Sequence, residues 1–168
     1  MYELNGVGEA MNKLVLMMGI PGSGKSTWIQ VNKTERDVWI SRDRIRFSMV
    51  AEDEEYFAKE NEVFNVFIYE IVMALQNRKN SGVVYADATH LNKKARAKVI
   101  NAIKKYIIPD TIECVWIDTS LATAMERNDL REGRARVPNS AINRMWYALE
   151  EPTVNEGFTK ITVIKEAE

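Results

Sequence analysis

Eight consecutive residues, Gly19-Ile20-Pro21-Gly22-Ser23-Gly24-Lys25-Ser26, fit the pattern G-x-x-x-x-G-K-[ST] and carry the clearest chemistry in the chain. Backbone N–H groups can curl around a phosphate only where glycines allow a tight turn and a close approach, which fits Gly22 and Gly24 flanking Ser23. A helix starting near Lys25 would aim its positive dipole end at the same anion. Lys25 can then reach the β- and γ-phosphates of ATP, and the Ser26 hydroxyl can ligate Mg²⁺. The pattern implies a phosphate donor and says almost nothing about the acceptor.

Acceptor chemistry needs a carboxylate to orient a hydroxyl and take its proton, cations around the developing charge, and a cover that excludes water. Three acids fall at the carboxyl ends of predicted strands, where open parallel sheets bind ligands: Asp43, Asp87 and Asp118. Asp43 or Ser41 could equally cap a following helix, and Asp118 reads as a strand-end turn residue. Arg127, Arg131, Arg134 and Arg136 crowd around Gly133 and suggest a basic lid. The unique His90 reads as a loop or cap residue. The basic helix Lys93 to Lys105 reads as a solvated face. Tyr56, Phe64 and Phe67 read as core.

The elements that must position these residues follow from hydrophobic periodicity. Lys13 to Met18 (KLVLMM) is a nearly continuous apolar run, as in a strand buried on both faces. The remaining strands are expected at Val38 to Ile40, Val83 to Ala86, Thr111 to Ile117 and Phe158 to Ile164. Between them the spacing predicts helices over Lys25 to Val31, Asp53 to Asn77, Lys93 to Ile107 and Leu121 to Leu130. Another starts at an Asn139 or Ser140 cap and ends near Leu149. Asn80-Ser81-Gly82 breaks the long helix, and Arg131 to Pro138 is irregular. Strands alternating with helices give an α/β sandwich of about five parallel strands with helices on both faces.

At 168 residues the chain suits one domain, 12–168, after a short N-terminal extension, 1–11. No apolar run approaches the ~20 residues of a membrane span, and the acid-bearing start is unlike a secretory signal. A net charge of -1 argues against a broad nucleic-acid-coating surface but leaves room for recognition of a strand end by a few cations. One cysteine, Cys114, excludes an internal disulfide, and with one histidine a zinc site is unexpected.

Ser41-Arg42-Asp43-Arg44-Ile45-Arg46-Phe47-Ser48, Asp87-Ala88-Thr89-His90-Leu91-Asn92 and Arg127-Asn128-Asp129-Leu130-Arg131 with Val137-Pro138 resemble the 5′-kinase domain of phage-type polynucleotide kinases, within the P-loop kinase superfamily. The resemblance spans Lys13 to Leu149, includes Thr27-Trp28 beside the glycine-rich loop, and keeps the motifs in the family's order. It implies a P-loop kinase-like three-layer sandwich with an arginine-bearing lid, ATP as donor and Mg²⁺ as its metal. The acceptor it implies is the 5′-hydroxyl end of DNA or RNA. Asp43 matches the general base and Arg46 the contact to the acceptor's phosphate. Asp87 and Thr89 match acceptor-side positions, and Val137 an apolar contact to the acceptor nucleoside. Thr27, Arg127 and Arg131 fall on the donor side, with Arg134 the alternative lid arginine because this lid is about one residue longer. No Asp-x-Asp-x-Thr motif of a 3′-phosphatase is present. The implied location is the cytoplasm, the host's if phage-encoded. Two other readings stay open: a kinase of a small molecule such as a sugar acid, nucleoside or nucleotide sugar, and a non-catalytic nucleotide-binding module.

Overall fold

The structure is a computed structural model that describes residues 11–77 and 82–165. Five parallel strands, β1 (Lys13–Met18), β2 (Val38–Ser41), β3 (Val83–Asp87), β4 (Thr111–Asp118) and β5 (Lys160–Lys165), form one sheet in the order β2-β3-β1-β4-β5. The apolar run of β1 explains its central place, because alternate side chains serve opposite faces. Leu14, Leu16 and Met18 enter one core with Phe67, Ile71 and Ile103. Val15 and Met17 enter the other with Ile29 and Ile117.

Helices α1 (Lys25–Asn32), α2 (Arg42–Met49), α3 (Glu60–Gln76), α4 (Lys93–Lys104), α5 (Leu121–Asp129) and α6 (Asn139–Tyr147) complete the three layers. Among the described residues no helix is long and apolar enough to cross a membrane. Cys114 is a buried free thiol, and burial pushes it up to about 12, as expected of a packing residue.

The long helix predicted from Asp53 begins only at Glu60. Residues 51–59 form turns instead, with the Ala51 amide donating to Glu54 Oε2 at 2.9 Å. Tyr56 is thereby taken off the α3 stripe and turned toward α2. The capping alternative for Asp43 resolves toward Ser41, whose side chain accepts from the Arg44 amide, while Asp43 sits in the first turn. Pro138, rather than Asn139 or Ser140, precedes α6, and no side chain caps it. The Asn139 carboxamide is engaged by Asn128. Helix α4 ends three residues before Ile107, and Phe158 is a buried residue ahead of β5. Residues 1–10 of the expected extension, and Asn80 and Ser81 of the predicted break, lie outside the described residues.

The basic helix is not wholly a solvated face. Arg96 of α4 is fully buried and pairs with Glu156 at 2.7 and 2.9 Å. It also donates to the carbonyls of His90, Glu150 and Glu151. Burial alone would raise the Glu156 carboxyl. The hydrogen bonds from Arg96 and the Thr153 amide, together with the Arg96 charge, hold it below its ordinary value.

Candidate active site

The carboxyl ends of β1, β2 and β3 converge on one cleft. After β1 the chain turns through Gly22 at φ 83° and Gly24 at φ 101°, a region open to glycine. A Cβ on Gly22 would lie 2.1 Å from the Ala124 carbonyl oxygen, so the close approach of α5 also demands glycine there. The loop is held from behind: Thr119 Oγ1 donates to the Ser23 carbonyl at 2.9 Å and Arg127 Nη1 to the same oxygen at 3.2 Å. Lys25 Nζ folds over the loop and donates to the carbonyls of Gly19 and Ile20 at 2.9 and 3.1 Å. Its enclosure lowers the ammonium pKa, Asp87 and Asp43 oppose that shift, and Arg131 adds to it.

Asp87 is buried at the end of β3 and accepts from Ser26 Oγ at 3.2 Å and from Trp39 Nε1 at 3.0 Å. Burial raises its carboxyl, while Lys25, Trp39 and Ser26 offset part of the rise. Asp87, expected from the sequence among the acceptor-side residues, thus bonds Ser26 in the first turn of α1. A hydroxyl and a carboxylate placed together are hard oxygen donors of the kind Mg²⁺ takes, so the pair fits that ion. Thr89 contributes its backbone carbonyl, which accepts from the Gly19 amide at 3.1 Å. On the outer side of the loop, Ser23, Thr27, Trp28, Thr119, Arg127 and Ile164 line a cleft of ≈ 510 Å³.

His90, expected as a loop or cap residue, is buried at φ 45°, with Nδ1 2.6 Å from the Met17 carbonyl oxygen. It thus fastens the exit of β3 to the strand that carries the phosphate loop. Burial lowers the imidazole from 6.5 to about 4, the Met17 contact opposing and the Arg42, Lys25 and Arg96 charges reinforcing. The unfolded chain therefore binds more protons between these values, and stability present above pH 6.5 is lost as pH falls toward 4. The urea midpoint is expected to drop between pH 7 and pH 5. His90→Asn, which tolerates the left-handed backbone, should flatten that slope; equal slopes would remove the role.

On the far side stand Asp43 and Arg46. The Asp43 side chain is 64% exposed, and its Oδ1 accepts from Arg46 Nη1 at 2.7 Å and Tyr56 OH at 3.0 Å. Its Oδ2 has no hydrogen-bond partner among the described residues. Arg46 is buried, its Nη2 bonded to Glu60 Oε2 at 2.8 Å and its guanidinium 4.5 Å from the Tyr56 ring centroid. Glu60 also pairs with Arg42. Arg46 is thus committed to two carboxylates and a phenol.

The four arginines of the 127–136 segment divide. Arg127 backs the phosphate loop. Arg131 is exposed, and among the described residues it makes a long hydrogen bond to the Ala135 carbonyl at 3.5 Å. Arg134 donates to the Val50 carbonyl at 2.7 Å and stacks over Phe47 at 4.9 Å. Arg136 pairs with Asp129. Val137 is clasped through its backbone by Asn128 and packs beside the small core of Ile20, Ala124 and Ile142. Trp39, Thr119 and Tyr56 were missed from sequence. Each enters the site through a contact at least 13 residues distant, which no local pattern records.

A family model described as an AAA domain matches residues 14–152. The chain belongs to this AAA-domain family. Its P-loop kinase-like fold recurs in solved structures. An unliganded sugar kinase from Janibacter sp. HTCC2649 superposes with a TM-score of 0.61 at 17% identity, over 91% of this chain and 84% of that one. Kti12 from Chaetomium thermophilum, in complex with ADP-AlF3, gives 0.62 at 16%, over 90% and 88%. A chain of the Pnkp1/Rnl/Hen1 RNA repair complex gives 0.67 at 22%. The match there covers 86% of this chain and 46% of that one, so this AAA-domain protein spans under half of its length. At these identities the likeness establishes the fold alone.

Proposed function

We propose that the protein is an ATP-dependent phosphotransferase that moves the γ-phosphoryl group to a hydroxyl, with the 5′-hydroxyl end of DNA or RNA as acceptor. The observation that carries the phosphotransferase reading is Asp43: an anchored carboxylate with one oxygen open, at the carboxyl end of β2 in the parallel sheet whose β1 leads into the Lys25 loop. In this reading Asp43 accepts the proton of the acceptor hydroxyl while that oxygen bonds to the γ-phosphorus. The bond from γ-phosphorus to the bridging oxygen breaks and ADP leaves. Lys25 and the backbone amides of Gly22 to Ser26 hold the donor phosphates, and Arg131 is the lid arginine available to the developing charge. Ser26 and Asp87 would hold Mg²⁺, which when bound neutralises charge on the β- and γ-oxygens.

The polynucleotide acceptor rests on the Ser41 to Ser48 and Arg127 to Arg131 resemblance, together with the RNA repair relative. One observation favours a second reading, transfer to a small molecule: Arg46, the proposed clamp on an acceptor phosphate, is buried and already paired. A sugar kinase is among the structural relatives. Incubation with γ-labelled ATP, Mg²⁺ and a 5′-hydroxyl oligonucleotide, beside gluconate and nucleosides, tests both. Label on the oligonucleotide is expected. Label on small molecules only would select the second reading, and ATP binding without transfer to any acceptor would leave a nucleotide-binding module.

A further inference from the structure

Tyr56 lies outside every helix, between α2 and α3, yet its hydroxyl enters the candidate site. Arginine can only donate, so the 3.0 Å contact with Arg46 Nη1 must use a lone pair of the phenol oxygen. The phenol proton is then directed to Asp43 Oδ1, also at 3.0 Å. Arg46 Nη1 bonds the same Oδ1, closing a three-membered ring of contacts on a single carboxylate oxygen. The Tyr56 ring is itself held, edge-on to Phe57 at 4.8 Å and to Phe47 at 6.3 Å, with the Arg46 guanidinium over its face. Burial pushes the phenol up to about 12, helped by the Asp43 charge, so it remains a donor across the working range of pH.

Two bonds converging on Oδ1 remove the freedom of the carboxylate to swivel, although most of its surface is exposed. We propose that Tyr56 is a positioning residue for the transfer step, its hydroxyl pinning Asp43 Oδ1 so that Oδ2 is presented to the acceptor hydroxyl. The inference rests on Asp43 being the base, and it holds for either acceptor class.

Tyr56→Phe keeps the ring and deletes only the hydroxyl. Its kcat is expected to fall roughly 10- to 100-fold, the rate equivalent of one hydrogen bond to a charged group. The KM for ATP should stay at the wild-type value. A lowered kcat beside an unchanged KM for ATP is the split that a merely structural role would not give. Asp43→Asn is run beside it. If Asp43→Asn is inactive while Tyr56→Phe keeps wild-type kcat, the positioning role is overturned and the base assignment stands. A fall in kcat with a raised KM for ATP marks general disturbance and equally overturns it. If Asp43→Asn retains full transfer, the base assignment itself fails.

Discussion

Asp43→Asn is expected to lower phosphoryl transfer on the order of 10²-fold or more while ATP binding stays close to wild type. The substitution preserves shape and can keep one acceptor oxygen for Arg46 and Tyr56, but the group can no longer take a proton. Donor contacts keep their anchorage, since Lys25 and Ser26 open α1 and Asp87 ends β3, none of them on α2. Single-turnover transfer beside equilibrium nucleotide titration separates the two quantities. Full transfer in the variant would reduce Asp43 to a first-turn helix acid.

The largest stability effect is expected at Arg96. Arg96→Met leaves Glu156 without its cation and the carbonyls of His90, Glu150 and Glu151 without their donor. Breaking a buried pair from one side costs about 3–5 kcal/mol. At roughly 2–4 °C per kcal/mol for a chain this size, the melting midpoint should fall by about 10 °C. Pairing Arg96→Met with Glu156→Gln should recover part of the loss, because the stranded charge is then gone. A single variant melting within about 2 °C of wild type would mean that Glu156 simply turns out to water.

The donor half of the site was legible in the sequence because it is local. Gly19 to Ser26 holds all of its signal within one turn, and KLVLMM can be placed only as a buried strand. The acceptor half was less so. Asp87 was recognised as a strand-end acid, but its company with Ser26 depends on β3 lying beside β1, a fact of sheet order. Tyr56 continued the apolar spacing of α3, and only its bonds to Asp43 and Arg46 draw it away. Arg96 was hidden among lysines, although its spacing from Val99, Ile100 and Ile103 puts it on the buried stripe of α4. That was a usable signal. For Arg134, its place against Phe47 and Val50 depends on how the 131–138 segment crosses to α2, which composition does not encode.

The sheet order gives the two halves of the cleft different tempos. The phosphate loop leaves β1, a strand with a parallel neighbour on each side and both faces covered. Asp43 follows β2, a four-residue strand that among the described residues is at the sheet edge and pairs with β3. Backbone amides of β1 can exchange with solvent only when the sheet as a whole opens, whereas β2 and α2 can detach in a smaller, cheaper excursion. The loop that leaves β1 is thus fixed for as long as the protein is folded. The element that carries Asp43 can breathe on its own clock while that loop stays in place.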